Sequence, residues 1–234
     1  MLTISHLTKT YGDKKAVDDL SLHIAPGEIY GFIGHNGAGK TTTLKSVVGI
    51  LDFDEGEITI DGISIKADPL ACKKKIAYIP DNPDLYDYMT GSGYLNFIAD
   101  IFGVEKSARE ERIRSYAEDF ELTGDLYQPI NTYSHGMKQK LAVMSALIHE
   151  PRLVIMDEPF VGLDPKAAHI VKEQMRALCD KGGAIFFSTH VLEVAEKLCD
   201  QIAIIKGGKL IRSGTMDEVR GDESLESVFL ELQG

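Results

Sequence analysis

Gly34-His35-Asn36-Gly37-Ala38-Gly39-Lys40-Thr41 fills every constrained position of the pattern G-x-x-x-x-G-K-[ST]. Ahead of it runs Ile29-Tyr30-Gly31-Phe32-Ile33, an apolar segment that reads as a buried strand. Behind it, Leu44, Val47, Val48 and Leu51 fall on one face of a helix opening near Thr42. Strand, glycine loop and helix together give the pattern a mechanism. The glycines let backbone N–H groups converge on an anion, and the positive N-terminal end of the helix adds to their pull. Lys40 would reach the outer phosphates of a nucleoside triphosphate, and the Thr41 hydroxyl would take a coordination position on Mg²⁺.

Outward from this loop the chain alternates strands and helices. On the N-terminal side, Leu2, Ile4, Val17, Leu20, Leu22 and Ile24 surround a turn at Gly12-Asp13 and predict short antiparallel strands. On the C-terminal side, Glu57–Ile60, Ile63–Ile65 and Ile76–Ile79 read as strands, the last stopped by Pro80. Residues from about 82 to 150 change character and are expected to form a helical lobe. There Ser107 and Glu110 have the spacing of a capping box, and Tyr86, Tyr88, Tyr94, Phe97 and Phe102 are expected mostly in the core. The core resumes at Leu153-Val154-Ile155-Met156. Asp164-Pro165 then opens a helix ended by Gly182-Gly183, and Thr215 with Glu218 opens a short one near the end. The expected fold is α/β: a P-loop NTPase core with a largely parallel sheet, an N-terminal antiparallel β subdomain and an inserted helical subdomain, in one domain over 1–234.

The totals narrow the functional class. A net charge of -11 over 234 residues argues against a broad nucleic-acid footprint. The longest apolar stretch, near Leu141 to Ile148, is far short of the roughly 18 residues of a membrane span. The N-terminus carries no signal-peptide pattern. Three cysteines without a C-x-x-C pair fit buried thiols in a reducing cytosol.

Two further groups of residues carry chemistry. Asp157-Glu158 ends a wholly apolar strand, where open α/β sheets place ligands. Asp157 would hold Mg²⁺ and Glu158 would deprotonate the water attacking the γ-phosphate. His190, ending the next apolar strand, is placed to touch the γ-phosphate or that water. Ser134 and Gly136 precede another helix, a second anion site that one nucleotide would not need.

These motifs, in this order and over essentially the whole chain, resemble the ATP-binding subunit of an ABC transporter, with features of the bacterial drug and lantibiotic exporters. The resemblance implies that Gly34 to Thr41 with Thr42 is the Walker A loop, Leu153 to Asp157 Walker B and Glu158 the catalytic carboxylate. By the same resemblance Gly162-Leu163-Asp164 is the D-loop, His190 the switch histidine, Tyr133 to Met137 the family signature and Tyr11 the aromatic that stacks on adenine. It implies ATP and Mg²⁺ as cofactors and a second ATP-binding domain, a further copy of this chain, paired head to tail. Each nucleotide would then lie between one phosphate loop and the partner's signature. It also implies separate transmembrane permease subunits, a place on the cytoplasmic face of the membrane, and no nucleic-acid partner. The alternatives are a soluble relative acting on ribosomes or nucleic acid, and a nucleotide switch without turnover. The chain departs from the family pattern at His135 and Met137 in the signature. It departs again at Asp81, where glutamine is usual, and Asp81 is expected to reach Mg²⁺ through water.

Overall fold

In a computed structural model, which describes residues 1–233, the chain builds two sheets and a helical lobe. Strands β1 (Leu2–Tyr11) and β2 (Lys14–Ile24) form a hairpin, and β3 (Ile29–Ile33) leads into helix α1 (Lys40–Val47). Strands β4 (Glu55–Ile60) and β5 (Ile63–Ser64), helix α2 (Pro69–Lys73) and strand β6 (Ile76–Ile79) follow. The lobe holds α3 (Gly91–Ile101), α4 (Lys106–Asp119), a 3₁₀ turn (Ile130–Thr132) and α5 (His135–Leu147). The chain then returns through β7 (Leu153–Asp157), α6 (Pro165–Asp180), β8 (Ala184–Thr189), α7 (Leu192–Leu198), β9 (Gln201–Lys206), β10 (Lys209–Thr215), α8 (Met216–Arg220) and α9 (Leu225–Gln233).

The first sheet, ordered β2-β1-β4-β5, is antiparallel. The second is ordered β10-β9-β3-β8-β7-β6 and is parallel except for β10 at its edge. Every residue of β3, β7 and β8 is buried, because both faces of this sheet are covered. Alternate residues divide between two apolar clusters. Ile79, Met156 and Phe187 pack toward the lobe and the C-terminal helices. Tyr30, Tyr78, Ile155 and Phe186 pack toward α1 and the antiparallel sheet. The phosphate loop therefore emerges from the middle of the larger sheet, wedged between two cores.

Several expectations are revised. Helix α4 begins at Lys106 with no side-chain cap, so Ser107 lies inside it and the expected capping box is not formed. Helix α2 was not foreseen, although Asp68 caps it through Ala71 N with Pro69 at its start. The aromatic cluster is largely outside the core: Tyr86 is 56% and Tyr88 96% exposed, with Tyr86 edge-on to Tyr94 and Phe97. The Thr215–Glu218 capping box does form, with both reciprocal bonds present. Cys72, Cys179 and Cys199 are buried free thiols. No helix among the described residues is long and apolar enough to cross a membrane.

Where the lobe rejoins the sheet, His149 stacks on Phe102 with ring centroids 3.7 Å apart. Its Nε2 lies 3.2 Å from the Ile76 carbonyl, while Nδ1 is buried and without a partner. Burial, and then the nearby Arg112 cation, push the imidazole below its ordinary pKa of 6.5. The folded chain thus binds fewer protons here than the unfolded one as pH falls through the ordinary histidine range. The contribution of His149 to stability is full above that range and declines below it. Thermal unfolding between pH 7.5 and 5 should show an acid-side loss of stability that His149→Phe, which keeps the stack, reduces. An unchanged pH dependence in the variant would refute the assignment.

Candidate functional site

A cleft of about 530 Å³ opens over the N-terminus of α1. One wall is the phosphate loop, with His35, Asn36, Gly37, Gly39, Lys40, Thr41 and Thr42 exposed to it. Asp157, Glu158 and Asp81 form the second wall, and Tyr11, Lys14 and Ala16 from the β1–β2 hairpin the third. Gly34 and Ala38 lie buried at the loop's base. An alanine Cβ at Gly34 would fall 2.7 Å from the Ile205 carbonyl, so the backbone there must stay bare.

Gly39, at φ 112, is the N-cap of α1, and no side chain caps that helix. The first-turn N–H groups are consequently left to the cleft, the arrangement that binds a phosphate. Lys40, only 6% exposed, donates from Nζ to the carbonyl of Gly34 at 2.5 Å and to that of His35 at 3.4 Å. Its charge is thereby held within the loop rather than extended into solvent.

Asp157 ends β7 opposite Ser188 of β8 and is 2% exposed. Both its oxygens are satisfied by hydroxyls: Ser188 Oγ donates to Oδ1 at 2.5 Å and Thr41 Oγ1 to Oδ2 at 2.7 Å. Ser188 Oγ in turn accepts the Glu158 N–H at 3.0 Å, so one serine fixes both acidic residues. Glu158 itself turns at φ 48, in the left-handed region, which swings its carboxylate out of the strand direction. Its Oε1 lies 3.0 Å from His190 Nδ1 and 3.4 Å from Lys40 Nζ. Neither contact is aligned as a hydrogen bond, and this buried oxygen keeps a free lone pair. A carboxylate beside two cationic or polar nitrogens, with acceptor capacity in reserve, is equipped to receive a proton from water.

No group of three or more His, Cys, Asp or Glu gathers as a metal cage among the described residues. The paired Thr41 hydroxyl and Asp157 carboxylate are instead the sparse oxygen set that suits Mg²⁺, an ion usually completed by substrate phosphates and water. Asp81 faces the same cleft with its Oδ1 held by Asn82 N at 2.9 Å.

Ser134, Gly136, Asp164 and His190 are not part of the cleft lining. Ser134 caps α5, its Oγ accepting from Met137 N at 3.2 Å. A Cβ on Gly162 would meet the His135 ring at 2.4 Å, so the histidine that replaces a family glycine packs on the backbone of Gly162. Asp164 gives its carboxylate to Ala167 N at 2.9 Å as the cap of α6, and these backbone donors hold it below the usual carboxylate range. Lys14, Ala16 and Ser188 were missed as site residues. The alignment of Ser188 with Asp157, at the ends of two adjacent apolar strands, is the one signal that points to any of them.

A parallel sheet with a phosphate loop, a buried acidic strand end, an antiparallel hairpin wall and an inserted helical lobe defines a nucleotide-hydrolysing ATP-binding subunit. The comparisons with known proteins agree. The family model described as ABC transporter matches residues 17–161, and the chain belongs to that family. It is 35% identical over 237 residues to the ABC-type transporter ATP-binding protein EcsA of Bacillus subtilis, covering 99% of this chain and 96% of that protein. It is 36% identical to the Nod factor export ATP-binding protein I of Rhizobium etli, covering 96% of this chain and 72% of that one. A solved structure of an ATP-binding subunit of an ABC transporter superposes with a TM-score of 0.95 at 34% identity, with 99% of each chain covered. The chain is an ATPase of the ABC transporter family.

Proposed function

We propose that this chain powers transport by separate membrane permease subunits, working from the cytoplasmic face of the membrane as a head-to-tail pair of copies that enclose two ATP molecules. The observation that carries the reading is the division of the anion sites. The phosphate loop, Asp157 and Glu158 share one cleft, while the Ser134 cap and Gly136 lie outside it beside Gly162. A twofold pair joins the two halves and makes two equivalent sites from one sequence. In each, Tyr11 would stack on the adenine; its ring is 52% exposed at the cleft wall, with the Lys9 ammonium 5.5 Å from its centre. Lys40 and the α1 N–H groups would take the phosphates, with Thr42 beside them, and Ser134, Gly136 and the Asp164 loop would close over them from the partner.

Glu158 would take a proton from the attacking water as its oxygen bonds to the γ-phosphorus and the bond to ADP breaks, giving ADP and phosphate. His190 would hold Glu158 and that water in line. Thr41 and Asp157, with Asp81 through water, would hold Mg²⁺, which supplies charge neutralisation at the β- and γ-phosphates. Export is the favoured direction, supported by the printed function of the Rhizobium relative.

Complementation tests the split site. Lys40→Ala removes a phosphate-loop cation and Ser134→Arg obstructs the signature, so each variant alone should lose nearly all ATPase activity. Mixed, they form dimers in which one site has both defects and the other none, and activity should return to a substantial fraction of one intact site. A mixture no more active than its components would refute the head-to-tail arrangement.

A further inference from the structure

The hydroxyl of Tyr78 is buried and has no hydrogen-bond partner. Leaving such a group unpaired is costly, so its position calls for an explanation. Register supplies the geometry. Tyr78 pairs with Ile155 and Ile155 with Phe186, a row on the α1 face of the sheet. Two residues further along each strand, on the same face, stand Pro80, Asp157 and Ser188. Proline has no polar side chain to offer, so in that second row the Asp157 carboxylate is flanked by a donor only on the Ser188 side. The long tyrosine side chain brings its hydroxyl under the fields of Asp157 and, less strongly, Asp81. Burial and these two carboxylates raise its pKa well above the ordinary phenol value. Tyr78 does not line the cleft; it stands behind the acidic wall.

Resting on the reading of Thr41 and Asp157 as cation ligands, we propose that Tyr78 is a positioning residue of the cation site. Its hydroxyl is the spare donor that takes up Asp157 when the Thr41 hydroxyl turns from that carboxylate to Mg²⁺. The logic is one of conserved hydrogen bonding. Asp157 Oδ2 now accepts from Thr41 at 2.7 Å, and a threonine oxygen committed to a cation presents its lone pair there instead. A buried carboxylate oxygen that loses its donor is penalised unless another replaces it. Ser188 is already committed to Oδ1, whereas Tyr78 is committed to nothing.

Tyr78→Phe deletes the hydroxyl and keeps the ring. Thermal unfolding without nucleotide, and calorimetric binding of a non-hydrolysable ATP analogue in EDTA and across a Mg²⁺ titration, separate the possibilities. The variant should unfold no earlier than the parent, because it removes an unpaired group. It should bind the analogue equally well in EDTA and need about five- to tenfold more Mg²⁺ for half-maximal effect. A Mg²⁺ requirement within twofold of the parent would overturn the proposal. Equal weakening with and without metal, or earlier unfolding, would mark a packing role and overturn it as well. A parent whose analogue binding ignores Mg²⁺ would instead sink the cation reading of Thr41 and Asp157 on which the proposal stands.

Discussion

Glu158→Gln should slow ATP hydrolysis by about 10²- to 10⁴-fold, the usual weight of a general base, while leaving ATP binding intact. The substitution preserves size and hydrogen-bonding reach but removes the basic lone pair of Oε1, the buried oxygen that has His190 Nδ1 at 3.0 Å and no aligned donor. Binding should persist because Lys40 and the α1 N-terminus do not depend on that lone pair: Lys40 makes its hydrogen bonds to Gly34 and His35. With hydrolysis stalled, the closed pair loses its route to opening and should accumulate with ATP. Single-turnover phosphate release and light scattering with and without ATP would show both effects. Turnover within about tenfold of the parent would remove Glu158 from the role of base.

The second large effect is steric. Gly39→Ala places a Cβ 2.4 Å from the Ala16 carbonyl and 3.4 Å from Ile205 Cδ1, at a φ of +112 that L-residues avoid. Neither contact is easily relieved, since Ala16 belongs to β2 and the nearest obstacle is backbone. The left-handed conformation alone costs about 1–3 kcal/mol, and the clash adds to it. ATP affinity should fall by about 100-fold or more, because the residue that must move is the cap of the phosphate-binding helix. Gly37→Ala is the control: its φ is +81, but its Cβ meets nothing within 4 Å. It should retain measurable binding and lose about 1 kcal/mol of stability. Equal damage from the two substitutions, in calorimetric ATP binding and thermal unfolding, would show that strain and not contact governs the loop.

The parts of this architecture that are local in sequence were readable from it. The phosphate loop, the apolar run into Asp157, the Ser134 cap and the Thr215–Glu218 box all declare themselves within a few residues. What depends on distant neighbours did not. Asp157 meets Ser188 across 31 positions, and only strand register aligns them. Lys14 reads as an ordinary turn charge until β1 and β2 fold the hairpin against the phosphate loop. The surface position of Tyr86 and Tyr88 is a fact about what the lobe packs against, which aromatic composition does not report. Helix α2, five residues long, is too short for periodicity to register. The absent Ser107 cap shows the opposite failure: a correct spacing overruled because α4 starts one residue earlier.

The separation of Ser134 and Gly136 from the cleft has a kinetic corollary on the proposed reading. Activity per molecule is then not a constant of the chain. At low concentration, turnover in free solution should rise with the square of the amount of protein and become proportional to it only once pairing saturates. A permease that anchors two copies side by side replaces that bulk concentration with a local one set by its own geometry. Idle copies in dilute solution would spend little ATP, and a copy would become a motor when it is held beside another.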